Sequence, residues 1–255
     1  RRDGPNLTHR YGGTFAVNDV GFDVTEGEIL GIMGANGAGK TTLFAMIAGN
    51  VVPSSGEILL DGQAVQGLPP ERINAMGVSR TFQIVRPFPS MTVLENATVA
   101  VMYGRRQLKS PAEAREQAMA VLEETGLADR AHLPASQLNL AGRKRLEIAR
   151  ALATGPRVLL LDEVLAGLNA TEVEAALELI RGVRERHKLS IIIIEHVMKA
   201  LMRLSDRIVV LHEGRKVVEG LPAEVANDPR VIKAYLGEQR HAHPCPFLHF
   251  PSPRT

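Results

Sequence analysis

The chain has 255 residues, 45% of them hydrophobic and 23% charged, which is enough apolar material for a substantial core. The net charge of +2 is too small to argue for nucleic acid binding. No apolar run approaches the roughly 20 residues of a membrane span, and the segment Arg1 to Pro5 lacks the apolar core of a signal peptide. Cys245 is the single cysteine, which excludes an internal disulfide and favours a reducing, cytosolic compartment.

The first half of the chain has strand patterns around glycine and proline turns, followed by helical patterns. The predicted elements of this half are strands at residues 11–24, 57–60 and 78–83, a short helix opening at Pro69-Pro70, and helices over residues 110–125 and 143–154. The helix at residue 110 has the strongest start signal, because Ser110 and Glu113 form a capping-box pattern with proline between them.

The second half alternates strand, helix and strand. The predicted elements are strands at residues 157–161 and 190–194, a helix capped by Asn169 and Glu172 between them, a closing hairpin at residues 207–211 and 216–219, and a final helix at residues 230–236. The two strands are apolar throughout, which is typical of a parallel sheet with helices on both faces. These patterns predict an α/β fold.

A glycine-rich loop follows the apolar residues 28–33 and matches G-x-x-x-x-G-K-[ST]. Such a loop wraps a triphosphate with backbone N–H donors, which requires that side chains be small or absent. The alternative is a glycine-rich turn that joins a strand to a helix and binds nothing. We predict nucleotide binding by the whole loop, which comprises Gly34, Ala35, Asn36, Gly37, Ala38, Gly39, Lys40, Thr41 and Thr42.

Two residues of the loop have particular chemistry. The Lys40 ammonium can reach the β- and γ-phosphates, and the Thr41 hydroxyl is placed to ligate Mg²⁺. The helix that begins near Lys40 directs its positive end at the same anion. A nucleoside triphosphate and Mg²⁺ are therefore the expected ligands, and the family resemblance given below implies that the nucleotide is ATP.

An acidic pair ends the strand before the capped helix. Asp162 at the carboxyl end of that strand can reach Mg²⁺, and Glu163 can polarise the water that attacks the γ-phosphate. Surface acids also end buried strands without any function, and that reading is the alternative. Gln83, at the end of another predicted strand, can bridge Mg²⁺ and the attacking water, or be a polar loop residue.

Two further residues have a functional and a plain reading. His196 follows the strand IIIIE, where an imidazole could hold the γ-phosphate and the water in line, or could be a histidine satisfied within the core. Tyr11 lies upstream of the loop, where its ring could stack on adenine or be half-buried.

The order of these motifs resembles that of the ATPases of ATP-binding cassette (ABC) transporters. The matching stretches, from about Leu7 to Leu236, are Tyr11, GANGAGKTT, Gln83, LNLAGRKRLEIARAL, LLLLDE, AGLN and IIIIEH. Within that superfamily, RTFQIVRPFPSMTVLENATVA, RLEIARAL, DEVLAGLN and VIKAYLGE resemble the branched-chain amino acid importer ATPases. The resemblance implies a P-loop NTPase with a RecA-like parallel sheet core, an N-terminal antiparallel β subdomain and an inserted helical subdomain at about residues 85–154.

The resemblance also implies a role for each motif. The implied roles are adenine stacking by Tyr11, the Walker A loop at residues 34–42, the Q-loop at Gln83, the Walker B motif at Asp162 and Glu163, and the switch histidine at His196. Glu163, His196 and Gln83 would act in catalysis, and Thr41, Gln83 and Asp162 would surround the metal.

The partners implied by the resemblance are a second cassette, identical or different, and two transmembrane permease subunits. Two cassettes would sandwich two ATP molecules head to tail, and closure of the sandwich would drive the permeases, which an external solute-binding protein supplies. The chain would then be peripheral, at the cytoplasmic face of the plasma membrane, with the helical segment touching the permeases.

The signature sequence departs from the family pattern, usually LSGGQ. Its counterpart here is Leu138, Asn139, Leu140, Ala141 and Gly142. Asn139 keeps a donor for a γ-phosphate, whereas Leu140 and Ala141 add side chains where glycines let the helix end approach the phosphate. We hypothesise that this signature serves the partner's ATP site poorly. The following run Arg143-Lys144-Arg145 faces a phosphate, an acidic permease surface or solvent.

Smaller departures concern the D-loop and both ends. Val164 stands where proline is usual, and Asn169 where aspartate is usual. The family has an apolar strand before the counterpart of Leu7, which residues 1–6 cannot supply. The cassette is expected to span residues 1–237, and the proline- and histidine-rich residues 238–255 are expected to be disordered.

Other functions are consistent with parts of the pattern. A soluble cassette ATPase of translation or repair usually carries two cassettes or a long coiled-coil insert, and neither pattern is present. An export ATPase is disfavoured by the RTFQ and YLGE regions, and a non-hydrolysing module by Glu163 and His196. The prediction is therefore the ATPase subunit of an importer for branched-chain or related amino acids or amides.

Overall fold

The computed structural model describes residues 6–81 and 88–236. Its strands are β1 (Leu7–Tyr11), β2 (Thr14–Val20), β3 (Ile29–Gly34), β4 (Leu59–Leu60), β5 (Gln63–Ala64), β6 (Val78–Arg80), β7 (Val158–Asp162), β8 (Ser190–Ile194), β9 (Arg207–His212) and β10 (Arg215–Gly220). Its helices are α1 (Lys40–Ile47), α2 (Pro70–Ala75), α3 (Val93–Tyr103), α4 (Pro111–Glu124), α5 (Leu140–Ala153), α6 (Ala170–His187), α7 (Met198–Leu204), α8 (Pro222–Asn227) and α9 (Pro229–Leu236). None of the helices in these ranges is long and apolar enough to cross a membrane.

The central sheet of the described chain has the strand order β10-β9-β3-β8-β7-β6. The strands from β9 to β6 run parallel, and β10 pairs antiparallel with β9 at the edge. Every residue of β8 is buried, as expected for a parallel strand covered on both faces. The α/β fold class and the parallel sheet predicted from the apolar runs are confirmed.

The apolar core fills both faces of this sheet. Leu161, Ile191 and Ile193 pack on one face with α6 and α7. Leu160 and Ile192 point to the other face, toward α1 and the N-terminal strands, because successive side chains of a strand alternate between its faces. Alternate side chains of one strand thus pack against the elements that cover the two faces of the sheet.

A hairpin of β1 and β2 lies over the P-loop side of the sheet. The pairing of Tyr11 with Thr14 closes its turn. The sequence prediction began a strand at Tyr11, whereas the structure ends one there, because a strand from Leu7 precedes the glycine turn. A second small hairpin, β4–β5, contains only the last two residues of the strand predicted at residues 57–60.

The turn between β9 and β10 packs against this N-terminal hairpin. Asn18 N–H donates to the Gly214 carbonyl at 2.7 Å, and Gly214 N–H donates to the Ala38 carbonyl at 3.2 Å. A Cβ on Gly214 would lie 2.8 Å from the Ala16 oxygen, and its φ of +75° is left-handed, so this position requires glycine. The closing hairpin therefore braces the loop between β3 and α1.

The helical insert consists of α3, α4 and α5 around their own apolar cluster. Ser110 caps α4 by accepting from Glu113 N–H, with Pro111 in the first turn, so the predicted cap is present without the reciprocal bond of a full capping box. Helix α5 begins at Leu140, not at Arg143, because the Asn139 side chain caps it by accepting from Gly142 N–H at 2.9 Å. The predicted strand at residues 78–83 ends at Arg80, and Gln83 lies outside the described residues.

Candidate active site

Strands β3, β7 and β8 bring the predicted site residues to one edge of the sheet. Asp162 pairs with Ile194 at the last position of the β7–β8 register, and Ile32 of β3 pairs with the same residue. The loop after β3, the acidic pair after β7 and His196 after β8 therefore share the carboxyl edge. Ligands of open α/β sheets bind at this edge.

The P-loop conformation depends on two glycines. Gly39 has a φ of +97° directly before α1, and a Cβ there would lie 2.3 Å from the Ala16 oxygen. Gly37 has a φ of +81°, but a Cβ there would meet nothing within 4 Å. Gly39 is thus required by both backbone conformation and packing, and Gly37 by conformation alone.

This difference gives a matched pair of variants. We expect Gly39→Ala to lower the free energy of unfolding by about 3 kcal/mol, because left-handed strain and a clash with β2 add. Gly37→Ala should lower it by only about 1 kcal/mol, because it adds strain without a clash. Urea unfolding without nucleotide measures both, and equal losses would contradict the packing role given to Gly39.

Lys40 follows Gly39 in the loop and is the first residue of α1. Its ammonium donates to the carbonyls of Gly34 at 2.7 Å and Ala35 at 2.9 Å. Burial lowers the pKa of Lys40, while the nearby charges of Glu163 and Asp162 raise it. A cation beside backbone N–H groups at the start of α1 forms an anion site, and Thr41 lies exposed in the first turn of that helix.

Asp162 has the properties of a metal-facing carboxylate. It is fully buried; its Oδ2 accepts from Arg80 at 2.7 Å, and its Oδ1 has no hydrogen-bond partner within residues 6–81 and 88–236. A buried carboxylate oxygen without a donor suits a hard cation such as Mg²⁺. The residues present therefore fit Mg²⁺, which Asp162 and the Thr41 hydroxyl would hold; nucleotide phosphates would supply the further oxygens.

Glu163 and His196 are in direct contact. The Glu163 Oε1 atom lies 2.7 Å from His196 Nε2, and Glu163 N–H donates to the Ile194 carbonyl at 2.9 Å. The φ of Glu163 is +52°, a left-handed conformation uncommon for a residue other than glycine. The carboxylate is thus held at the edge of the site, beside the predicted metal ligand.

Tyr11 and the signature residues occupy the flanks of the site. Tyr11 ends β1 and is 56% exposed, and its ring packs edge-on against His9 with 4.6 Å between the ring centroids, so the ring is accessible to an adenine base. Of the signature, Asn139 and Gly142 form the cap of α5, and Leu140 packs on Gly167. Because the Asn139 oxygen accepts in the cap, its amide N–H groups are the donors that it can direct outward.

Sequence reasoning missed three residues near the acidic pair. Arg80 pairs with Asp162, the Lys144 ammonium donates to the Glu163 carbonyl at 2.7 Å, and Glu195 Oε1 accepts from Leu165 N–H at 2.7 Å. Lys144 and Glu195 are 7% and 2% exposed, so a solvent-facing charged run is wrong for Lys144. The sequence does contain a signal for such residues: each is a charged residue in a helix or strand whose neighbouring positions are mostly apolar.

Glu195 has a strongly shifted pKa. Burial raises the pKa of Glu195 to about 7; the Leu165 N–H and the Lys144 ammonium oppose this rise, and Glu163 adds to it. An unfolded glutamate ionises near ~4.3. Between these values the folded chain binds more protons than the unfolded chain, so this group makes stability fall as pH rises through that window.

We therefore expect Glu195→Gln to become more stable relative to wild type by about 2 to 3 kcal/mol between pH ~5 and ~8. Glutamine keeps the oxygen that accepts from Leu165 and cannot ionise. Urea unfolding at both pH values measures the effect, with Glu178→Gln on the exposed face of α6 as the control. If the free energies of unfolding of Glu195→Gln and wild type differ by the same amount at both pH values, the raised pKa of Glu195 is refuted.

A mostly parallel sheet with a P-loop, an acidic pair and a strand-end histidine on one edge defines a P-loop NTPase. Residues 17–166 match the family described as "ABC transporter", and residues 215–241 match "Branched-chain amino acid ATP-binding cassette transporter". The chain is 44% identical to the high-affinity branched-chain amino acid transport ATP-binding protein LivG of Salmonella typhimurium, over 91% of this chain and 96% of LivG. It is 43% identical to BraF of Pseudomonas aeruginosa over the same shares.

Solved structures agree. The ADP conformation of the ABC transporter cassette MJ1267 superposes with a TM-score of 0.81 at 25% identity, covering 92% of this chain and 97% of that one. The dimeric cassette MJ0796 gives 0.78 at 26% identity, covering 86% and 97%. The chain therefore belongs to the ABC transporter ATP-binding proteins, in the branched-chain amino acid transporter ATPase family that includes LivG and BraF. It is an ATPase whose hydrolysis of ATP is coupled to transport.

Proposed function

We propose that the chain is the ATP-hydrolysing subunit of an importer for branched-chain amino acids. The observation that supports hydrolysis is the position of Glu163: its carboxylate contacts His196, its N–H donates to the Ile194 carbonyl, and it follows the buried Asp162. The cargo follows from the high identity to LivG and BraF, whose names give branched-chain amino acid transport.

Each residue of the site then has a role. The loop from Gly34 to Thr42 binds the phosphates of ATP through its N–H groups and Lys40, and Tyr11 stacks on adenine. Thr41, Asp162 and Gln83 would hold Mg²⁺, which would neutralise phosphate charge. Glu163 accepts a proton from the attacking water, and His196 orients that carboxylate and the γ-phosphate.

Two cassettes complete the sites. We assign Leu138 to Gly142 to the ATP bound by a partner cassette, in the head-to-tail arrangement that the family implies. The Leu140 side chain, 41% exposed at the start of α5, stands where a glycine would let the helix end approach a phosphate. This arrangement supports the hypothesis that the signature acts weakly. We expect ATP turnover to rise when serine and two glycines are restored in the signature, and unchanged turnover would contradict the hypothesis.

The remaining partners are two permease subunits and, through them, a periplasmic or extracellular solute-binding protein. The helical insert, about residues 85–154, faces the permeases, within a cassette that spans residues 1–237. The chain then works at the cytoplasmic side of the plasma membrane as a peripheral subunit. The chain supplies the ATP hydrolysis that drives transport, and the permeases and the binding protein select the solute.

Gentle detergent extraction of the tagged chain from its native membrane tests this assignment. We expect two hydrophobic permeases and a second cassette in the eluate, and leucine uptake when the complex is placed in proteoliposomes with its binding protein and ATP. Recovery with ribosomes, or as a protein without membrane partners, would refute the importer. Uptake of an unrelated solute in place of leucine would refute the cargo while leaving the importer intact.

A further inference from the structure

The first two turns of α5 pack on the segment that follows the acidic pair. Leu140 and Lys144 are four residues apart and therefore lie on one face of the helix. Leu140 Cδ2 would lie 2.9 Å from a Cβ on Gly167, and Lys144 Nζ lies 2.7 Å from the Glu163 carbonyl oxygen. The helix that begins with the signature thus contacts both ends of the segment from Glu163 to Gly167.

The Lys144 side chain is buried where it makes this contact. Its residue is 7% exposed in a helix whose neighbours Leu146, Ile148 and Ala149 are apolar and buried. An ammonium is costly to remove from water unless it gains charged or hydrogen-bonding partners. Here the partners are the Glu163 carbonyl and, electrostatically, the Glu195 carboxyl.

The bond from Lys144 acts on a strained residue. Glu163 has a φ of +52°, which for a residue other than glycine costs about 1 kcal/mol or more and persists only when neighbours hold it. Its N–H is held by the Ile194 carbonyl, its carboxylate by His196, and its carbonyl by Lys144. The Glu163 carbonyl also accepts from Ala166 N–H at 3.4 Å in the turn that follows, and Lys144 contributes a contact that comes from the helical insert.

Glu195 extends the same arrangement by one step. Its Oε1 accepts from Leu165 N–H at 2.7 Å, which ties the middle of the segment to the end of β8. Lys144 and Glu195 therefore hold neighbouring peptides of one short loop. The loop joins the Walker B strand β7 to α6, so its position decides where Glu163 points.

We propose that Lys144 is a positioning residue for ATP hydrolysis: it fixes the Glu163 backbone in its left-handed conformation and links the signature helix to the catalytic carboxylate of the same cassette. The inference rests on the proposed role of Glu163 as the group that accepts the proton of water. Movement of α5, when the signature engages nucleotide, is thereby transmitted to Glu163 through the hydrogen bond from Lys144 to the Glu163 carbonyl.

The test compares Lys144→Met, Lys144→Gln and Lys144→Arg in the full chain assembled with its permeases. We expect Lys144→Met and Lys144→Gln to lower kcat by at least ~10-fold with the KM for ATP within about twofold, because misplacement of a reacting group acts on the chemical step. Lys144→Arg keeps a cationic donor and should retain most of kcat. Lys188→Met, at an exposed lysine beyond the carboxyl end of α6 and outside the helical insert, should leave both constants unchanged.

A double-variant cycle separates positioning from general destabilisation. In a Glu163→Gln background, Lys144→Met should cause no further loss of residual turnover, because the carboxylate that Lys144 positions is gone. An equal ~10-fold loss in both backgrounds would overturn the proposal. If Lys144→Met does not fold, Lys144→Gln against Lys144→Arg decides, and equal kcat values for these two would likewise overturn it.

The two proposals fail in different ways. Unchanged turnover in Glu163→Gln alone would remove the assigned role of Glu163 and this inference with it. Loss of turnover in Glu163→Gln, with wild-type kcat in every Lys144 variant, would refute only the positioning role.

Discussion

Glu163→Gln is expected to reduce ATP turnover by ~10²-fold or more, because a general base contributes about 10²–10⁴ to the rate. Glutamine has nearly the same shape and keeps an oxygen that can face His196, so the backbone contacts of residue 163 should persist. The variant loses only the ability to take a proton from water. ATP binding, measured with a fluorescent analogue, should therefore stay within about threefold of wild type.

A matched control exists within the chain. Glu213 is also a left-handed glutamate, with a φ of +46°, but it is exposed in the turn between β9 and β10. Glu213→Gln should leave turnover unchanged, which shows that the loss at Glu163 does not come from altering a left-handed acid. If Glu163→Gln and Glu213→Gln have the same ATP turnover, the role of Glu163 as general base is refuted.

Arg80→Met should lower the free energy of unfolding by about 3–5 kcal/mol, because removing one partner of a buried ion pair leaves the other charge uncompensated. The Asp162 side chain is 0% exposed and that of Arg80 only 10%, with 2.7 Å between Nη2 and Oδ2. The guanidinium also lies 5.7 Å from the centroid of the Phe44 ring, which adds a cation–π contact. Urea unfolding without nucleotide measures the loss.

An exposed pair provides the comparison. Arg157 pairs with Asp61 on the surface, where both side chains are about half exposed. Arg157→Met should cost only about 0–1 kcal/mol, because water and salt screen such pairs. Similar losses in the two variants would show that Arg80 contributes by packing and not by its charge.

The elements that sequence reasoning predicted well have strong local signals. Residues 190–194 form a strand because five apolar or small residues precede the polar residues Glu195 and His196, and the structure has the strand at those residues. Asn169 caps α6 with the reciprocal bonds to Glu172 that the pattern indicates. The P-loop, too, is local, since its glycines, lysine and helix follow one another in the chain.

The features that sequence reasoning missed depend on contacts between distant segments. Lys144 reads as one of three basic residues in a row, and only the packing of α5 on the loop after β7 shows that it alone is buried. Arg80 follows an ordinary strand pattern, and its partner is on another strand. The predicted start of α5 at Arg143 is wrong because Asn139, which the family pattern marks as a phosphate donor, is also the cap of the helix.

The brace between Gly214 and the P-loop bears on how the cassette is made. Ala38 and Ala16 meet a turn at Gly214 that follows them at long sequence separation and is therefore synthesised much later. Contacts of such long sequence separation form late, and a nascent chain that ends before the closing hairpin lacks them. The P-loop of such a nascent chain lacks its contact with Gly214, so we expect its full affinity for ATP only after the hairpin of β9 and β10 has formed.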